Sequence, residues 1–142
     1  MKVMTREECL AFLTEKPRTA KVATVRPDGR PHVAAVWFYL DGDTLLFTTW
    51  HKTVKAANLQ HSPQVAISVD DDQPPFSFVL VEGTAEITER DPDMLLWSTR
   101  IAGRYMGDDQ ADAFGQRNAV EGEWLIRLPI TKIGGAKELA AW

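Results

Sequence analysis

The chain has 142 residues, 44% of them hydrophobic, with a formal net charge of −4 and one cysteine. That length and apolar share fit a single domain over residues 1–142 with an ample core, and they exclude a disordered tail as the main content. The acidic balance argues against a dedicated nucleic-acid binder, Cys9 alone cannot form an intrachain disulfide, and neither a signal peptide nor a membrane-length apolar run is evident, so a cytoplasmic protein with no membrane and no nucleic-acid partner is expected.

Thr5 and Glu8 have the spacing of a capping box, and Cys9, Leu10, Phe12 and Leu13 supply an apolar stripe, so a short helix opens the chain and Pro17 ends it. Thr19 to Val25 reads as a strand, and Arg26-Pro27-Asp28-Gly29-Arg30 carries turn chemistry. A second strand runs from about His32 to Leu40, a second turn falls at Asp41-Gly42-Asp43, and a third strand covers Thr44 to Trp50. Together they form an antiparallel meander.

Thr53 to Gln60 follows as a short helix, stopped before Pro63. A fourth strand, Gln64 to Val69, leads through the acidic loop Asp70 to Pro75 into a long fifth strand, Phe76 to Ile87, with Gly83 as a bulge or bend. Asp91-Pro92 is expected to open a helix to about Tyr105 with proline at its first position, and Asp109 to Arg117 forms another short helix. The last strand, Glu123 to Ile133, carries alternating Trp124, Ile126 and Leu128, and the remaining tail is expected at the surface or against a partner. The pattern predicts a mainly β (α+β) fold, a six-stranded antiparallel split or closed barrel with short flanking helices. No G-x-G-x-x-G turn supports a Rossmann domain.

Chemistry concentrates first at Thr48-Thr49-Trp50-His51-Lys52-Thr53-Val54-Lys55, where a strand with two hydroxyls runs into a helix start. Unpaired N–H groups there suit a phosphate. Lys52 and Lys55, three apart, can share one helical face, although a capped, exposed helix start would read the same way. Second, Ala34 and Ala35 leave room for a flat ring against the strand Pro31–Val36, with Trp37 or Phe38 as pocket wall or as barrel packing. Third, alternation puts Phe76 and Phe78 on one face, in the core or, on balance, in a dimer interface. His32, His51 and His61 lack metal-ligand spacing, so no metal is expected.

The succession Ala23-Thr24-Val25, Asp28-Gly29-Arg30-Pro31-His32, Val36-Trp37-Phe38, Lys55-Ala56-Ala57-Asn58-Leu59, Val81-Glu82-Gly83-Thr84-Ala85 and Arg104-Tyr105-Met106-Gly107 runs through nearly the whole chain. In it the chain resembles the pyridoxamine 5′-phosphate oxidase-like, FMN-binding split-barrel superfamily, and within that the actinobacterial deazaflavin-dependent reductases. The resemblance implies a homodimer with two cofactor sites at the interface, the phosphate end near Lys52, Lys55 and Asn58, and Thr48 and Thr49 on the adjacent strand. It lays the ring along Pro31, His32, Ala35, Val36 and Trp37, with Phe76 and Phe78 of the other subunit nearby.

The resemblance further implies hydride transfer from reduced coenzyme F420 to a small electron-poor substrate, with no residue required as acid or base. The alternatives are an FMN-dependent oxidase or reductase, or a non-catalytic flavin or haem carrier. No equivalent of a substrate-phosphate clamp follows Arg127-Leu128-Pro129, which counts against vitamin oxidation. Lys16, Arg18, Lys21, Arg26 and Arg30 concentrate positive charge that would suit the acidic tail of F420, or would simply be solvated strand ends.

Overall fold

The computed structural model describes residues 1–141. The first half of the chain forms β1 (Lys2–Val3), α1 (Arg6–Glu15), β2 (Ala20–Val25), β3 (Pro31–Val36), β4 (Tyr39–Asp41), β5 (Thr44–Trp50) and α2 (Val54–His61). The second half adds β6 (Gln64–Asp71), β7 (Ser77–Thr84), β8 (Glu86–Thr88), α3 (Met94–Met106), α4 (Asp108–Asn118) and β9 (Glu123–Lys137). Helix α1 starts where expected because Thr5 accepts from the Glu8 N–H while the Glu8 carboxylate accepts from the Thr5 N–H. It stops at Glu15 because Lys16 precedes a proline and takes an extended conformation.

All strand pairs are antiparallel, in the order β3-β2-β6-β7-β9-β5-β4. The two ends of that order, β3 and β4, are joined in the chain by Trp37 and Phe38 alone. The three Cα–Cα steps from Val36 to Tyr39 span at most about 11 Å, so the sheet must curl until its edges approach each other. This is a split barrel, and the gap lies at the Trp37–Phe38 crossover. β9 holds the barrel together: its first half pairs with β5 and β8, and its second half with β7 and β1. Fully buried Phe38, Phe47, Leu45, Ile126 and Leu128 fill the interior. Among the described residues no helix is long and apolar enough to cross a membrane.

Nine strands appear among the described residues where the pattern predicts six. The run 32–40 divides because the chain leaves one sheet edge for the other at Trp37–Phe38. There side chains replace the ladder: the Phe38 N–H donates to the Tyr105 hydroxyl and its carbonyl accepts from Arg104. The run 76–87 divides at Ala85, whose N–H donates to the Pro63 carbonyl, just after a register shift at Glu82/Gly83. Gly83 makes that bulge possible, since a Cβ there would lie 2.5 Å from the Pro129 carbonyl oxygen. The third addition, β1, is too short for a periodic signal.

Two boundaries also move. Pro92 precedes α3 rather than opening it, because the helix begins at Met94 after Asp93. The tail continues β9 to Lys137, and then the Leu139 and Ala140 N–H groups donate to the Phe76 and Pro75 carbonyls.

Helices α3 and α4 pack on each other as a hairpin, and α3 lies against β4 and β5, with Met94 and Trp97 on Leu46 and Leu125. Their close approach depends on Gly115. A Cβ there would lie 2.2 Å from Thr99 Oγ1 and 2.8 Å from Thr99 Cα. The second contact is to backbone, so no change of rotamer relieves it. Gly115→Ala is therefore expected to cost about 1–3 kcal/mol by overpacking. Thermal melting checks this, and an unchanged midpoint would show that the two helices have slack.

Candidate functional site

Thr53 caps α2: its hydroxyl accepts from the Ala56 N–H at 3.2 Å. The Val54 and Lys55 N–H groups are left without an intrahelical acceptor. The Thr53 hydroxyl is fully committed, since it also donates to the Trp50 carbonyl and lies 2.8 Å from the Thr49 hydroxyl. Thr49, 3% exposed, therefore spends its own proton on Thr53. Its role is to orient the cap.

The start of α2 faces a cleft of about 280 Å³ at the split of the barrel. Ala35, Val36 and Trp37 form one wall, and Thr48, Thr49 and Trp50 of β5 the facing one. Thr53 and Lys55 close one end, and Ser98, Ile101, Asn118 and Glu123 line the rest. Burial pushes the half-buried Lys55 ammonium below the ordinary lysine value, with Glu123 opposing. Burial likewise pushes the Glu123 carboxyl up, against the Thr48 hydroxyl, Lys55 and His51. Trp37 is held flat by Tyr105, stacked at 5.1 Å with the planes 3° apart, and Phe114 meets it edge-on at 6.5 Å. Tyr105 is itself fixed, donating to the Arg18 carbonyl at 2.8 Å. The result is a rigid, half-open groove with an aromatic wall and one lysine.

Of the residues singled out in the sequence, Lys55, Thr48, Thr49, Ala35, Val36 and Trp37 meet in this cleft. Lys52 does not join them. It lies before the N-cap, outside the helix, and so shares no helical face with Lys55. Asn58 points the other way: it is 2% exposed and donates to the Thr24 hydroxyl at 3.0 Å, tying α2 to β2. Pro31 sits at the far end of β3, about 16 Å along the strand from Val36, counting five residues at roughly 3.3 Å each. His32 sits opposite Thr24 beside it, and its Nδ1 is buried without a hydrogen-bond partner.

Phe76 and Phe78 do not share a face as alternation predicts, because Phe76 precedes β7 in a turn with φ +64°. Neither lines the cleft of its own subunit.

A larger groove, about 560 Å³, opens at Pro31. Its cation, Lys132, lies 3.5 Å from Glu82, and its Thr131 hydroxyl donates to the Glu82 carbonyl. An exposed lysine beside a carboxylate is a weak anchor for an anion, so volume alone does not make it the better site. The basic residues of the first strands are likewise engaged. Arg18 pairs with Asp71 at 2.8 Å, Lys21 with Asp70 at 3.0 Å and Arg30 with Asp28 at 2.8 Å, while Lys16 lies 3.8 Å from Asp71. Arg26 donates to the Pro31 carbonyl. Such a cluster offers a polyanion much less field than its count of cations implies.

Periodicity carries no mark for Ser98, Ile101, Asn118 or Glu123 as site residues. They come from three elements distant in the chain and meet Lys55 only through the packing of α3, α4 and β9. Trp50 and Thr53, in contrast, are neighbours of residues already singled out.

The family model described as pyridoxamine 5′-phosphate oxidase matches residues 5–126. A crystal structure of a conserved hypothetical protein of Mycobacterium tuberculosis is 26% identical, with a TM-score of 0.80 over 98% of this chain and 89% of that one. A structure described as an F420 reductase is 33% identical, with a TM-score of 0.69 over 87% of this chain and 94% of that one. The haem storage protein of Vibrio cholerae shares the fold at 23% identity, with a TM-score of 0.69 over 92% of this chain and 94% of that one. A curled antiparallel sheet split at Trp37–Phe38, a match over most of the chain and these neighbours lead to one conclusion: the chain belongs to the pyridoxamine 5′-phosphate oxidase family of split-barrel proteins.

Proposed function

We propose that the protein is an F420-dependent reductase, acting as a homodimer on a small electron-poor organic substrate. The family contains flavin- and F420-binding oxidoreductases and related proteins. The observation that carries the finer reading is the convergence of Lys55, the open first turn of α2 and the Ala35–Trp37 wall in one groove. A half-buried ammonium and unpaired N–H groups suit a phosphate, and the small Ala35 beside Trp37 suits a flat ring. When bound, the deazaflavin supplies the hydride chemistry. The chain's own residues hold and orient: Lys55 and the helix start grip the anionic end, Trp37 sets the plane of the ring, and Ile101 limits water.

Arg127 is not free to clamp a substrate phosphate, because it is paired with the buried Asp91 carboxylate. That supports a reaction other than vitamin oxidation.

Two observations favour a dimer. The cleft falls below the roughly 300–1,000 Å³ of ligand pockets, so one subunit encloses only part of such a cofactor. The outer face of the sheet also carries small and exposed apolar residues. One row reads Ala35, Lys21, Ser68, Leu80 and Gly134 across five strands, and Val33 and Leu80 are 65% and 51% exposed. Ala35 belongs to both this face and the cleft, so a second copy seated on the sheet would help to complete the groove. In such a dimer Phe76 and Phe78 of the partner subunit would flank the ring, as the family resemblance implies.

The test is gel filtration of the protein mixed separately with F420 and with FMN, followed by absorption spectra. F420 is expected to co-elute at the dimer volume. Elution as a bare monomer with neither cofactor would remove the reading, and tight retention of FMN alone would assign the alternative.

A further inference from the structure

The cleft that holds Lys55 also holds a carboxylate. Glu123 opens β9 opposite Trp50 and lines the same groove, so any anion drawn to the lysine meets a like charge. The charged and titratable groups facing Glu123 come from two sides. From the α2 side they are Lys55 and His51, and His51 Nδ1 lies 3.0 Å from the Gly122 carbonyl. From the other side, Glu89, Arg90, Asp91 and Glu121 border a shallow pocket that Glu123 shares. There Arg127 is taken by the buried Asp91, and Arg90 lies 3.2 Å from Glu121 at the exposed surface, so among the described residues no buried arginine partner faces Glu123 from this side. Lys55 is thus partly compensated before any ligand arrives.

A phosphate joined through two ester bonds, as in F420, carries one negative charge. A terminal phosphate, as in FMN, loses a second proton near pH 6 and carries nearly two charges above neutrality. With a carboxylate in the same groove as its one lysine, the second charge of a phosphomonoester is repelled more than the single charge of a phosphodiester. We infer that Glu123 is a specificity-determining residue that makes the cleft select a singly charged phosphodiester over a doubly charged phosphomonoester. This rests on the reading of the Lys55 cleft as the phosphate end of the cofactor site. It goes further in naming the charge state that the site accepts.

The test measures binding of F420, FMN and uncharged riboflavin by fluorescence titration, with wild type and Glu123→Gln, at pH 8.0. Repulsion scales with ligand charge. The substitution is therefore expected to tighten FMN about tenfold, F420 about threefold, and riboflavin less than twofold. An equal change for all three ligands, or none, overturns the inference and leaves the cleft assignment standing. A second measurement needs no variant: wild-type affinity for FMN should rise as pH falls from 8.0 to 5.5, whereas a cleft governed by Lys55 alone would lose affinity, and that result overturns the inference. If wild type binds none of the three, the cleft assignment itself fails, and the inference with it.

Discussion

Lys55→Ala is expected to weaken binding of F420 and FMN by at least tenfold, and by up to about a hundredfold, while leaving the fold intact. A hydrogen bond to a charged partner is worth about 1.5–3 kcal/mol, and tenfold in affinity is about 1.4 kcal/mol. The loss is not limited to that contact. Without the ammonium, Glu123 stays in the groove with only the Thr48 hydroxyl and His51 near it, and an incoming phosphate meets an uncompensated carboxylate. Lys52→Ala is the matched control: Lys52 is exposed, lies outside α2 and does not line the cleft, so less than a threefold change is expected. Fluorescence titration of both variants decides the matter. Equal losses, or a larger loss for Lys52→Ala, would move the anion site away from the first turn of α2.

Arg104→Met is expected to lower stability by several kcal/mol, at about 1–3 kcal/mol for each buried carbonyl left without its donor. The guanidinium donates to three main-chain carbonyls in two segments: Leu13 at 2.6 Å and Lys16 at 2.7 Å, at the end of α1, and Phe38 at 3.1 Å, in the crossover. It also lies 4.4 Å from the centroid of the buried Phe38 ring. Burial pushes the group below the ordinary arginine value, with Tyr105 and Tyr39 opposing. Methionine keeps the stem and strands all three acceptors. At about 2–4 °C per kcal/mol for a domain near this size, the melting midpoint should fall by roughly 10 °C. A fall of less than about 3 °C would mean that water replaces the arginine at little cost. Because Phe38 adjoins Trp37, the surviving folded protein should also bind its cofactor more weakly.

Arg104-Tyr105 shows how a recognisable motif can be read for its presence and not for its purpose. The pair looked like part of a family signature. Its work is to satisfy the backbone where the sheet leaves one edge for the other, with Arg104 on the Phe38 carbonyl and Tyr105 on the Phe38 N–H. A strand pattern cannot announce this, because Trp37 and Phe38 are as good strand formers as their neighbours. Only the mutual position of β3 and β4 forbids the ladder from continuing. Asn58 shows the same gap between residue type and placement. A polar residue at a helix or strand position reads as a donor to a ligand, but Asn58 is spent on Thr24 inside the protein.

Local chemistry by itself determined the capped start of α1, the turns, the β2–β3 and β4–β5 hairpins, the bulge at Gly83 and the position of Lys55 in the first turn of a helix. Each of these depends on residues within a few positions of one another, where helical and strand periods act directly. The expected continuous meander instead breaks at Trp37–Phe38, where the chain passes from one sheet edge to the other. The tertiary structure decided what surrounds Lys55. Glu123, Ser98, Ile101 and Asn118 reach the cleft from 43 or more positions away, through the packing of α3 and α4 and the reach of β9. It also decided that Arg18, Lys21 and Arg30 are paired with Asp71, Asp70 and Asp28, the Lys21–Asp70 pair spanning the neighbouring strands β2 and β6. Charge can be counted along a chain, but the field it produces depends on which charges the fold brings within a few ångströms of each other.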